Sequence, residues 1–564
     1  MIMKNIFNIK TLLLALTLGI GAMMTGCDDD ENLPKADALF RPIVNETIVG
    51  GQWIELNWDR YEGAESFQLE LSGEDGLELT AETDTTFYRF EGLSYDTDYV
   101  IKIRSFSKSS GLESKFYIVP TITTTDIVTD LKEVQTIDNM ALVSWGSPAI
   151  YNNLKIFHVY TPEGATEETE EVIKEIPLSS DELALGQIII DELEPENNYI
   201  VRAYYGDTYL GKKKFTTKAP ENYEGAVIDL RSYSEEDSYS LFTQSFIDDV
   251  VAQYPDQNIT IVLQGGVAYE LATVLLPATT GTISVVTGQT LRGNASFRVS
   301  GNFGVKDGAS VGGFIVNNVF FTEHDDKPKT AGNFGGCYLF NFNKSGASLG
   351  TLKLLNSTIK YKRGLCRIQT KASIDNFIMD NCIVDSIGGY GITNADNGDA
   401  DIKNINITNS TFSHCEKLFV STKPNSKSVN SFSAEKCTFV YNMKNGNNYM
   451  FDFNNMSFGS DPKLKDCLFG PGGNAVSIKE DGSSTGSIGA FSAFRAAKGS
   501  LTLDNCYGTT DIKWYIAEGA TEPASALDLT STKTDVNATF NNAAGSDFSL
   551  VNLTLKGVAG DPRW

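Results

Sequence analysis

Histidine is the scarcest chemically useful side chain in this 564-residue sequence, which holds only His158, His324 and His414. With no Cys-x-x-Cys pair among its eight cysteines, the chain offers nothing that reads as a zinc site. Basic charge is also short: 46 Lys and Arg face 72 Asp and Glu, a formal net charge of -26. A phosphate polymer needs a concentrated basic face, so this balance argues against nucleic acid as a partner. No leucine ladder and no helix-period segment recurs, which excludes leucine-rich and helical repeats. The one long apolar run, Leu12 to Met24, is too short to read as a membrane-spanning helix.

That run follows Lys4 and Lys10 and leads into Met24-Thr25-Gly26-Cys27, which resembles a bacterial lipobox. The resemblance implies a signal peptide over 1–26, acylation of Cys27 and an acidic tether over 27–37 containing Asp28, Asp29, Asp30 and Glu31. It places the mature chain on the outer membrane, facing the exterior and held by lipid alone.

Two stretches then alternate apolar and polar residues in short runs, the pattern of antiparallel sheets with one solvated face. In 38–125 the runs include Trp53-Ile54-Glu55-Leu56-Asn57-Trp58 and Tyr99-Val100-Ile101-Lys102-Ile103-Arg104. Leu93, six residues before Tyr99, has the spacing of a tyrosine corner. In 126–218 Trp145 takes the place of Trp58, Leu193 and Tyr199 repeat the corner, and Glu163 to Glu175 reads as a solvated hairpin. Both stretches resemble fibronectin type III modules, with Trp58 and Trp145 in their cores.

From 221 to 564 one phrase recurs: a polar residue, then Ser or Cys, then an apolar residue two positions on. The polar residue is Asn356, Asn381, Asn409, Lys436, Asp466 and Asn505 in turn, at steps of 25, 28, 27, 30 and 39. Val316-Asn317-Asn318-Val319-Phe320 is a degenerate earlier copy. A period of this length with two or three short strands per unit predicts a right-handed parallel β-helix. Ser357, Cys382, Ser410, Cys437, Cys467 and Cys506 form its inward spine, and the preceding Asn slot is suited to a hydrogen-bonded ladder at a turn. A helix over Tyr239 to Tyr254 would cap the exposed first coil, with Pro255 ending it. The fold class is therefore all-β: two sandwiches, then a capped β-helix.

Chemistry must come from outward rows. The basic stretch Lys360 to Lys371 is the best candidate, because period two sends Cys366 and Ile368 inward and Arg367, Gln369 and Lys371 outward. Arg363 adds a second guanidinium, and Tyr361 and Tyr390 flank the coil. Trp514 is a further glycan-binding candidate, either as a stacking platform or as a terminal plug. Asp396, Asp399 and Asp401 could supply oxygen ligands for calcium one coil later.

The whole plan, including the terminal Gly560-Asp561-Pro562-Arg563-Trp564, resembles surface lipoproteins of Bacteroides-type polysaccharide-utilisation loci with a pectate-lyase-like C-terminal part. The resemblance implies glycan work at the cell surface beside outer-membrane glycan-uptake proteins. It carries over no catalytic residue: the Arg-x-Pro-x-x-Arg and Trp-Ile-Asp-His patterns of pectate lyases are missing. Three functions stay open. They are a polysaccharide binder for acidic, uronate-containing chains, a lyase or hydrolase using Arg363, Arg367 or Lys371 as base or clamp, and an adhesin or structural protein. The sequence favours the first.

Overall fold

The computed structural model describes residues 38–146, 150–324, 338–395, 399–420, 428–443, 448–473 and 488–564. Cys27 and the acidic tether, Cys337 and Asp396 lie outside the described residues.

The first sandwich packs a sheet of Val44–Val49, Trp53–Trp58 and Phe87–Glu91 against a sheet built on Glu78–Thr83, Ser66–Gly73, Asp98–Phe106 and Tyr117–Ile118. Alternation decides the faces: Ile54, Leu56 and Trp58 turn inward, as do Tyr99, Ile101 and Ile103. Trp58 meets Phe67 edge-on, with ring centres 5.2 Å apart. The predicted corner forms, with Tyr99 Oη accepting the Ser94 N–H at 2.9 Å. The second sandwich repeats the plan with a sheet of Gln187–Ile190, Ala141–Ser144 and Gln135–Thr136 and a sheet of Thr169–Pro177, Asn153–Tyr160, Asn198–Tyr205 and Thr208–Thr216. Trp145 is buried and Tyr199 Oη accepts the Glu194 N–H at 2.9 Å. The acidic stretch becomes the exposed edge strand Thr169–Pro177, whose charge guards it against further pairing. A helix the pattern did not show, Ser180–Leu185, is set by a capping box between Ser179 and Glu182 and ended by Gly186 in the left-handed region.

The remainder is a parallel β-helix of three sheets. The first runs from Ala226–Asp229 to Thr502–Asp504, the second from Ala268–Leu271 to Thr530–Ser531, and the third begins at Val274–Leu276. One coil consists of Ser348–Leu355, Thr358–Lys362 and Gly364–Ile368, one strand for each sheet. Parallel register stacks like on like inside: Phe412 lies on Phe439 and Phe439 on Phe469, at 5.2 and 5.1 Å and within 13° of parallel. Each such ring contributes roughly 1.5–3 kcal/mol by burial.

The repeat phrase has a backbone cause. Asn318, Asn356, Asn381, Asn409, Lys436, Asp466 and Asn505 all take φ between 47° and 57°, the left-handed conformation that Asn tolerates best among residues with a side chain. Asn381 Nδ2 donates to Asn356 Oδ1 at 2.6 Å and Asn505 Nδ2 to Asp466 Oδ1 at 2.6 Å, so the ladder exists there. Elsewhere the partner is the residue before the slot, Asn356 donating to Asn317 Oδ1 at 2.8 Å and Asn409 to Asp380 Oδ1 at 2.8 Å. The next residue points inward and its hydroxyl or thiol reaches the carbonyl two residues back, as in Ser357 to Leu355 O at 2.6 Å and Cys437 to Glu435 O at 3.3 Å. Burial pushes the Cys382 thiol up to about 12, so it stays protonated and inert at neutral pH.

The expected capping helix is two helices. Glu235–Tyr239 and Gln244–Gln253 are separated because Thr243 takes the N-cap, accepting the Phe246 N–H, which frees Phe242 to bury against Phe297 and Phe303. Gln244 then stands in for a missing strand. Its side chain donates to Leu275 O at 2.8 Å and accepts from Leu275 N at 2.6 Å, closing the edge of the third sheet.

The chain's last segment folds back over the outside of the second sheet. Val536, Phe540, Ala543, Phe548 and Leu555 form a small core with Val440 and Leu468, against which Trp564 packs. Asp561, buried, accepts from Thr411 Oγ1 at 2.7 Å and its N–H donates to Thr438 Oγ1 at 2.9 Å. Arg563 forks onto Asp561 and donates to the carbonyls of Asn381 at 3.1 Å and Cys382 at 2.7 Å. Trp564 Nε1 donates to Thr411 Oγ1 at 2.8 Å. Three residues thus clamp three successive coils.

Candidate functional site

The basic coil divides between two faces and the interior. Gly364–Ile368 buries Leu365, Cys366 and Ile368 and leaves Arg367 half-buried on the outside of the third sheet, as period two requires. The strand ends there. Gln369 is half-buried and gives its N–H to Phe342 O, while Thr370 and Lys371 take φ of 50° and 55°, so Lys371 sits exposed in a turn and the expected outward row of three does not form. Lys362, within the basic stretch, points inward. Tyr361 has φ 58°, which breaks the alternation after Ile359 and turns Lys362 into the core, 3.1 Å from the buried carboxylate of Glu323.

Arg363, Arg367 and Tyr390 come together, joined by Tyr338 from the preceding coil, which sequence reasoning did not select. The Arg363 guanidinium lies 4.2 Å from the Tyr390 ring centre and 5.8 Å from that of Tyr338, and Nη2 donates to Tyr390 Oη at 2.6 Å. Arg367 lies 5.2 Å from the Tyr338 ring centre. The two rings meet edge-on at 5.4 Å. Gly364 makes this possible: a Cβ there would stand 2.9 Å from both the Tyr338 ring and Tyr390 Cβ. Rings that hold guanidiniums in place reduce the rotamer freedom lost when an anion binds. A guanidinium so held can pair with carboxylate or sulfate oxygens.

The other selected residues lie elsewhere. Tyr361 belongs to the second sheet, beside Asp385. Trp514, half-buried, packs its ring 4.9 Å from buried Phe491 at the margin of the core. Asp399 is exposed and Asp401 begins the strand Asp401–Thr408. Among the described residues no group of three or more His, Cys, Asp or Glu is placed to hold a metal ion.

A second polar cluster escaped the sequence reading. On the second sheet Lys360 pairs in register with Asp385, and Asp385 with Ser413. Buried Asp385 accepts from His414 Nδ1 at 2.9 Å and from Ser546 Oγ at 2.8 Å, with Lys360 Nζ at 3.5 Å. The His414 ring stacks on Tyr441. Ser546 donates to the aspartate and not to the imidazole, so the order is not that of a hydrolytic relay. The cluster ties the covering segment to the coil. Burial would raise the Asp385 carboxyl, but the hydrogen bond and charge of His414, the charge of Lys360 and the Ser546 hydroxyl outweigh it and hold it well below the usual range. A depressed folded value contributes stability above the unfolded carboxyl pKa of about 4 that is lost as pH falls below it. The urea midpoint is therefore expected to fall between pH 6 and pH 3, and to fall less in Asp385→Asn. Equal falls would remove Asp385 from this account.

No family model matches the chain. No curated protein matches it either. Among solved structures 295 chains match. One is the two fibronectin type III domain segment from chicken tenascin, 19% identical, covering 32% of this chain and 100% of that chain with a TM-score of 0.17.

Proposed function

We propose that this protein is a surface lipoprotein that holds an acidic polysaccharide against the outer face of the third sheet of its β-helix. The observation that carries this reading is the Arg363 and Arg367 pair fixed on Tyr338 and Tyr390. In a chain of net charge -26, guanidiniums assembled at one place favour an anionic ligand. Uronate carboxylates match their fork geometry. The outer face of the second sheet suits a polymer less, since the closing segment covers part of it. Cys27 would carry the lipid and the two sandwiches would act as spacers between membrane and solenoid. Glycan-uptake proteins of the outer membrane would be its neighbours.

Affinity electrophoresis through gels containing polygalacturonate, alginate or a neutral glucan tests the reading. Retardation is expected in the acidic gels alone. Arg363→Ala/Arg367→Ala should abolish it, with retardation scored against each protein's own migration in the blank gel. Equal retardation of the variant would move the site elsewhere, and no retardation in any gel would favour a protein-contact role. On whole cells, surface capture of labelled polygalacturonate should disappear in Cys27→Ser.

A further inference from the structure

The third sheet carries a second arginine on a tyrosine, built the same way. Arg495 lies 4.5 Å from the ring centre of Tyr449, which belongs to the preceding coil just as Tyr338 precedes Arg367. The two arginines share one register row. Arg367 pairs with Asn394, Asn394 with Val420, Val420 with Asp452 and Asp452 with Arg495. Four steps between parallel strands of about 4.8 Å put the stations roughly 19 Å apart along the solenoid axis.

Their chemistry differs. At the first, two guanidiniums lie within 6 Å of one tyrosine ring centre, at 5.8 and 5.2 Å. At the second, Arg495 is matched by Asp452, with Nε to Oδ1 at 2.6 Å and Nη2 to Oδ2 at 2.8 Å. Both side chains reach solvent, at 39% and 14% exposure. A matched carboxylate and guanidinium beside a half-buried aromatic ring present acceptors, donors and an apolar surface side by side. That combination suits the hydroxyls and C–H face of a neutral sugar and gives little advantage to a second anion.

From this geometry we infer that Tyr449, Asp452 and Arg495 form a neutral-sugar subsite, and that the natural ligand is a mixed polysaccharide with uncharged residues several sugars away from each acidic one. The inference rests on the first station's binding an acidic residue. Two stations joined by one chain gain affinity through effective concentration, whereas a short acidic fragment fills only the first.

Calorimetric titrations with trigalacturonate and with an octasaccharide of gellan, in which one uronate is spaced by neutral sugars, separate the two ideas. The octasaccharide is expected to bind at least tenfold more tightly. Asp452→Asn/Arg495→Gln and, independently, Tyr449→Leu should remove that gain and leave trigalacturonate binding unchanged, with unaltered thermal unfolding certifying the fold. Trigalacturonate binding with no octasaccharide gain, or a gain that survives both variants, overturns the second station while the first stands. Absence of binding by either fragment overturns both.

Discussion

Replacing Lys362 with methionine is expected to lower the unfolding free energy of the β-helix by about 3–5 kcal/mol, the range seen when one partner of a buried ion pair is removed. Lys362 and Glu323 are both fully buried, 3.1 Å apart on neighbouring coils, and the ammonium also lies 3.5 Å from Val299 O. Methionine nearly matches lysine in volume, so the loss comes from taking the cationic partner away from a buried carboxylate and not from a cavity. The double variant Glu323→Leu/Lys362→Met should recover most of the loss, because a buried pair is worth little against well-packed apolar residues of similar size. Urea midpoints at constant slope measure both. If the double variant is as unstable as the single one, the penalty lies in packing and the loss of the cationic partner is not its cause.

Removing the Asp561 side chain is expected to cost about 3 kcal/mol, from lost hydrogen bonds to a buried carboxylate and an Arg563 guanidinium left without its fork partner. Asp561→Ala deletes the acceptor for Thr411 Oγ1 and for Arg563 Nε at 3.0 Å, which loosens the hold of Arg563 on the Asn381 and Cys382 carbonyls. Limited proteolysis should then cut within 540–564 before it cuts the coils. A variant within 0.5 kcal/mol of the parent and equally resistant would show that the clamp adds nothing to the packing of Phe540, Phe548 and Leu555.

Different parts of this fold were legible to different degrees. The Ser and Cys spine and the Asn ladder could be read because the left-handed turn and the inward residue after it recur once per coil, a local cause repeated often enough to see. The tyrosine corners were readable for the same reason, since Tyr99 and Tyr199 each accept an N–H only five residues back. The burial of Lys362 was not legible, because one left-handed residue, Tyr361, reverses the parity at the end of that strand. The helix break at Thr243 follows from Phe242 seeking Phe297, more than fifty positions away. Asp561 meets Thr411 across 150 residues, a separation at which pattern carries no signal.

Within the candidate site, Arg363, Arg367 and Tyr390 were found because composition flagged a basic run in an acidic chain. Tyr338 was missed because it lies one coil earlier, and Gly364 because its role is to be small between two rings. Asp385 and His414 could have been found by asking which polar residues fall one coil apart, since 29 positions separate them.

The central claim is that guanidiniums on the third sheet bind an acidic glycan, and calorimetric titration of size-defined oligogalacturonate into the parent and into Arg363→Ala/Arg367→Ala tests it most directly. The account predicts saturable binding by the parent that weakens as salt is raised, and at least tenfold weaker binding by a variant whose thermal unfolding is unchanged. Identical isotherms for the two proteins would contradict it.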